Sequence, residues 1–124
     1  MMIAYEPTPF NYQCTMKSSL PFELKLKQNI ITIKTTTEFM SNKSITLLNS
    51  ATHKYNTEKS TTVIEEIHID IKSTLQICYF FIGSMIVISN KIQPKHFVIK
   101  NISPPILSSL MDLGINKIFT LCKV

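Results

Sequence analysis

Between His96 and Lys123 the order of residue types leaves the backbone few options. Residues 96–102, His-Phe-Val-Ile-Lys-Asn-Ile, read as a strand. Ser103-Pro104-Pro105 then opens a helix, because serine suits the position before a helix and proline is tolerated in its first turn. Residues 106–113 continue that helix, and Gly114 suits the left-handed residue that ends many helices. Residues 115–121 return as a further strand. Strand, helix and strand in this order define an α/β unit and carry no enzyme motif.

Upstream, the period of the apolar residues changes three times. Phe22, Leu24 and Leu26 alternate with Glu23, Lys25 and Lys27, and after Gln28-Asn29 the alternation resumes through Ile31 and Ile33. A period of two on both sides of a short polar step predicts two antiparallel strands joined by a tight turn. Over residues 42–55, Leu47, Leu48, Ala51 and Tyr55 recur at helical spacing, with Ser41 or Asn42 as the cap and Lys43, Asn49, Ser50 and Lys54 toward water. Residues 62–71 alternate again through Val63, Ile67, Ile69 and Ile71, with Glu65 interrupting the apolar row. Residues 77–90 read as a second helix, and Gln93-Pro94 turns the chain into the strand at His96. The order strand, strand, helix, strand, helix, strand, helix predicts an α/β fold: a mixed, mostly parallel sheet of four to five strands with about three main helices.

A length of 124 residues accommodates one domain, expected over residues 21–124 and preceded by an extended arm, residues 1–20, rich in proline and polar residues. The formal charge of +5 comes from thirteen lysines and no arginine, spread evenly: seven Lys against four acids in residues 1–62, six against four in residues 63–124. Without arginine's planar fork or a basic patch, nucleic acid is not expected as a partner. Cys14, Cys78 and Cys122 are far apart and form no Cys-x-x-Cys pair, a pattern expected of a cytoplasmic protein. The most apolar run, residues 77–88, would measure about 18 Å as a helix against a hydrocarbon core of about 30 Å, so no membrane span is expected.

Phe97-Val-Ile-Lys-Asn-Ile-Ser-Pro-Pro-Ile-Leu-Ser-Ser-Leu-Met-Asp-Leu-Gly-Ile-Asn-Lys-Ile-Phe119 is similar to the closing strand, helix and Gly-Leu-x-x-x-Phe ending of the STAS domain. Ile67-His-Ile-Asp-Ile71 resembles that family's central strand, which ends near an aspartate. The STAS domain is the fold of bacterial anti-sigma-factor antagonists and occurs on cytoplasmic tails of anion transporters. The resemblance spans about residues 22–122. It implies a non-enzymatic regulatory module whose partner is a protein, either an anti-sigma kinase-like regulator or, alternatively, a membrane-associated transport complex of which this chain is a small subunit. Where the family carries Asp-Ser-Ser-Gly or Asp-Thr-Ser-Gly at the start of its second helix, this chain has Cys78-Tyr79-Phe80-Phe81. The phosphate-accepting hydroxyl falls on Phe80, which has no oxygen to receive a phosphate.

Cys78, Tyr79, Phe80 and Gly83 are therefore the expected partner-binding residues, a hydrophobic lip in place of a phosphorylated edge. The competing reading is that residues 77–88 bury their aromatics in the core, as apolar runs commonly do. Gly83, inside a helix, reflects close packing or simple tolerance. The exposed apolar helix also allows a homodimer. Glu65, Glu66, His68 and Asp70 form a charged cluster, but same-face residues on a strand lie about 6.5–7 Å apart, so no metal or other cofactor is expected there. The solvent side of an edge strand explains that pattern. His53 and His96 have no readable partner, and two glycines, Gly83 and Gly114, cannot build a phosphate-binding loop. No catalytic residues are assigned, and no enzymatic activity is expected.

Overall fold

The structure is a computed structural model that describes residues 20–57 and 62–124. Nearly all of the expected arm, residues 1–19, lies outside the described residues. The chain begins with a hairpin, β1 (Phe22–Lys27) and β2 (Ile30–Thr35), whose strands pair antiparallel from Phe22 opposite Thr35 to Lys27 opposite Ile30. Gln28 and Asn29 form the turn with φ of 53° and 67°. Two consecutive left-handed residues match the right-handed twist of the flanking strands, which is why so short a polar step closes the hairpin.

Helix α1 (Asn42–Thr52) starts where Ser41 accepts a hydrogen bond from the Ser44 N–H, and it ends in a short 3₁₀ turn, His53–Tyr55. Strand β3 (Glu66–Asp70) follows, then α2 (Tyr79–Ile92), β4 (His96–Ile102), α3 (Pro104–Asp112), a 3₁₀ turn at Ile115–Lys117 and β5 (Thr120–Lys123). The sheet order is β1-β2-β3-β4-β5, with every pair after the hairpin parallel. Each helix thus connects a strand to its immediate parallel neighbour, always stepping in the same direction. Right-handed crossovers then place α1, α2 and α3 on a single face of the sheet. Burial agrees: Ile31, Ile33, Ile67, Ile69 and Ile99 are fully buried, whereas the alternate residues Thr32, Lys34, His68 and Lys100 are exposed or half-buried. The five-stranded, mostly parallel sheet with three helices is the architecture expected from the sequence.

Several boundaries differ from expectation for local reasons. Strand β3 begins at Glu66, not at residue 62, because its parallel neighbours begin there: Glu66 lies opposite Ile30 on one side and His96 on the other. Before that point Ile64 is buried and Val63 is 64% exposed, the reverse of a strand continued upstream. Helix α2 starts at Tyr79 because Cys78 is extended, and it ends at a left-handed Gln93, φ 56°. Ser103 occupies the position before α3, yet its hydroxyl makes no cap bond; Pro104 and Pro105 supply the first turn. Gly114 is left-handed at φ 74°, as expected of a helix terminator. Residues 115–119 are not yet a strand, since Ile115 and Phe119, four apart as in a helical turn, both plug into the core. The Phe119 ring lies 4.4 Å from that of Phe97. On α1, Leu47 is exposed and Ile45 takes the core position, while Asn49 is half-buried because it meets α2.

Candidate functional site at the start of the second helix

In an open parallel sheet the connections leaving the carboxyl ends of the strands gather on one rim, and ligands of such folds bind there. Here that rim is built by residues 36–41 after β2, residues 71–78 after β3, and the first turns of α2 and α3. The first two segments are joined. The Glu38 carbonyl accepts hydrogen bonds from the N–H groups of Leu75 (2.9 Å) and Gln76 (3.2 Å), and Phe39 forms a parallel bridge with Gln76. Below them the buried Thr74 hydroxyl lies 2.7 Å from the Thr35 hydroxyl and 3.0 Å from the Thr37 carbonyl. Asp70, the last residue of β3, accepts the Lys72 N–H and so turns the chain out of the sheet. Buried polar groups satisfied in this way rigidify the segment leading into α2.

The residues expected to meet a partner sit at the end of that segment. Cys78 is half-buried at the cap position of α2, Tyr79 is 77% exposed and Phe80 is 51% exposed. Phe81, the next residue, is completely buried and supplies the core contact of this turn. The apolar run is thus split by helical geometry: Phe81, Ile82, Met85 and Ile88 enter the core, while Tyr79, Phe80, Gly83 and Val87 stay outside. The core reading therefore holds for Phe81 and not for Phe80. Phe39 and Leu75, at 49% and 62% exposed, extend the apolar surface on the neighbouring segments and were not singled out from sequence. Their signal is faint, because a lone apolar residue between polar neighbours looks the same whether it docks or packs. Beside Tyr79, a groove of about 510 Å³ runs between α2 and α3, lined by Ile77, Cys78 and Ile82 on one side and Ser109, Asp112 and Leu113 on the other.

The charged cluster belongs elsewhere. Strand β3 is the central strand of the sheet, not an edge strand, so Glu66, His68 and Asp70 point from its middle to the side opposite the buried row. His68 Nε2 and Glu66 Oε1 are 2.6 Å apart, and Glu65 pairs with Lys95 at 3.2 Å. Among the described residues no three His, Cys, Asp or Glu side chains are placed to hold an ion. His96, unpartnered in the sequence reading, stands directly opposite Glu66. The hydrogen bond with His68 holds the Glu66 carboxyl below the usual carboxylate range, against the opposing effect of desolvation, and the His68 and His96 rings add to the lowering. Along the row of Asp70, two rows from that of Glu66, Glu23, Lys34, Asp70 and Lys100 stand opposite one another on four adjacent strands, alternating in sign. Opposite charges placed across strands suit a face that stays in water. Cys78 and Cys122 are free thiols, and no helix among the described residues is long and apolar enough to cross a membrane.

A hairpin leading into three parallel crossovers, with all helices on one face and an ordered rim at the strand ends, defines a STAS-like α/β fold. Among solved structures, a Thermotoga maritima protein reported as a candidate anti-sigma factor antagonist matches it with a TM-score of 0.67, covering 83% of this chain and 86% of that one. Identity is 13%, so the likeness establishes the shared fold. No protein-family model and no curated protein matches the sequence.

Proposed function

We propose that this chain is a non-enzymatic regulatory module that binds a protein partner through the start of α2, in the manner of an anti-sigma-factor antagonist without the usual phosphorylatable serine. The observation that carries this reading is the exposure of Tyr79 and Phe80 at the first turn of α2, although Phe81 beside them is fully buried. Large aromatic side chains left in water at a rigid rim are the groups that dominate binding energy when a partner excludes that water. The fold shared with the Thermotoga maritima protein supports the regulatory class. At the position of the usual serine the first turn offers the Phe80 ring, which has no oxygen for a serine kinase to modify, so affinity does not depend on a phosphate there and the partner's availability sets occupancy.

Cys78 and Gly83 complete the surface: Cys78 at the mouth of the groove beside α3, and Gly83 one turn along the exposed side of α2. The test is affinity capture from native extract with the wild-type chain and with Phe80→Ala, read by mass spectrometry. One protein enriched by the wild type and depleted at least about tenfold with Phe80→Ala, equivalent to about 1.4 kcal/mol of binding, is the expected result. Equal capture by both refutes the assignment of the surface.

A further inference from the structure

Among the described residues nothing requires a glycine at position 83. It lies in the middle of α2, is exposed, and a Cβ added to it would meet nothing within 4 Å. Its φ is not positive, so the backbone does not demand glycine either. Glycine at such a place weakens a helix relative to alanine. What surrounds it is apolar and symmetric. Three residues before it stands Phe80 and three after it Ile86; four before it stands Tyr79 and four after it Val87. Tyr79, Phe80 and Val87 are exposed and Ile86 is half-buried. From Tyr79 to Asn90 the helix carries no charged residue on any side. A helix that is apolar all round belongs in an interior, yet this outer stripe has no cover among the described residues.

We infer that the outer stripe of α2 pairs with the same stripe of a second copy, antiparallel about a two-fold axis at Gly83. It rests on the same reading of the α2 surface as a protein-binding face. In that arrangement residues equally far before and after Gly83 meet, so Phe80 packs on Ile86 of the other copy and Tyr79 on its Val87. Each large ring thus faces a smaller aliphatic side chain, and the two glycines at the axis let the helix backbones approach closely, as small residues do between packed helices. A two-fold interface must be self-complementary, and a charge-free stripe satisfies this even though each copy carries a net +5. The area is adequate. The exposed parts of Tyr79, Phe80, Gly83, Ile86 and Val87 offer roughly 500 Å² per copy, so a pair buries about 1,000 Å², the least that a specific interface needs. Self-pairing and partner binding then compete for Tyr79 and Phe80, and free module appears as the chain is diluted or as partner accumulates.

Sedimentation velocity on the full chain over about 5–200 µM, a range suited to an interface at the lower size bound, tests this. The expected species at the upper end has twice the 14.2 kDa chain mass. Gly83→Glu brings two carboxylates together at the axis while improving helix propensity, so it should sediment as a monomer with unchanged far-UV circular dichroism. Val87→Lys, away from the axis, should do the same. A monomeric wild type at the highest concentration, or dimers persisting in both variants, overturns the pairing. If the wild type is monomeric while Phe80→Ala still loses its captured partner, the pairing falls and the docking surface stands. If Gly83→Glu dissolves a dimer while Phe80→Ala leaves capture unchanged, the pairing stands and the docking surface falls.

Discussion

Phe80 and Phe81 are adjacent in sequence and opposite in environment, which makes their alanine variants a sharp test of how α2 is set against the sheet. Phe81 is fully buried among the core side chains. Removing its ring takes away the transfer free energy of the phenyl group and leaves a cavity, a change that costs about 3–5 kcal/mol in close-packed interiors. Phe80 is 51% exposed. Full burial of such a side chain stabilises by up to about 3 kcal/mol, so half burial accounts for about 1.5 kcal/mol, from which the better helix propensity of alanine returns about 0.5 kcal/mol. Phe80→Ala should therefore cost about 1 kcal/mol. Urea titrations followed by circular dichroism, run at concentrations low enough for a monomer, would read this as a midpoint shift at constant slope. Thermal melts should separate the variants by roughly 10–20 °C for a chain of this size. Equal destabilisation by the two substitutions would refute the placement of Phe80 outside the core, and the docking surface would go with it. If Phe80 proved the more damaging, α2 would be rotated by about 100° from the orientation described here, the angle between successive helix residues.

Other perturbations probe the rest of the fold. Gly114→Ala forces a Cβ into a left-handed backbone at φ 74° and should cost about 1–2 kcal/mol in a urea titration, with no loss from packing because nothing lies within 4 Å of the added atom. Asn49→Ala leaves the buried Ser84 hydroxyl without its acceptor and should cost about 1–3 kcal/mol, whereas Asn49→Ala combined with Ser84→Ala should recover part of that loss. On the open face, the lowered Glu66 carboxyl contributes stability that is present above its unfolded-state value and is lost as pH falls through the folded one. His68→Gln should raise the Glu66 midpoint toward the ordinary carboxylate range in a carbon-detected NMR titration; an unmoved midpoint would count against the hydrogen bond as its main cause.

Much of the fold was legible because each element carries its own local instruction. Gln28-Asn29 between two alternating runs marked a tight hairpin turn, and Ser41 or Asn42 ahead of the helical spacing of Leu47, Leu48, Ala51 and Tyr55 marked the start of α1. Pro104, Pro105 and Gly114 bounded α3 from both ends. Boundaries set by neighbours were not legible in the same way. The start of β3 depends on where Ile30 and His96 begin, sixty-six residues apart in the chain, and nothing in residues 62–65 announces it. The same holds for the face occupied by Glu66, His68 and Asp70: alternation puts them on one side of a strand, but only the sheet order shows that the strand is central and that His96 stands opposite Glu66.

The candidate site was half legible, and α2 shows why. A helix apolar on all sides gives no periodic signal from which to choose its inward stripe, so periodicity left Tyr79, Phe80 and Phe81 equivalent and only the family resemblance singled out the first two. Tertiary packing broke the tie through its neighbours on both sides. The α1 contact at Asn49 and Ser84 and the burial of Ile82, Met85 and Ile88 set the rotation of the helix about its axis, and that rotation sends Phe81 inward. Once it is fixed, the outward residues follow at intervals of three and four, which places Gly83 beside Phe80 and Val87 rather than against the sheet. A residue chosen for the core would not be a glycine with open space around it, and a surface chosen for water would not be free of charge over three turns. Both features suit a helix whose packing another protein surface completes, and so the composition of α2, opaque as a guide to its own orientation, bears on assembly once that orientation is known.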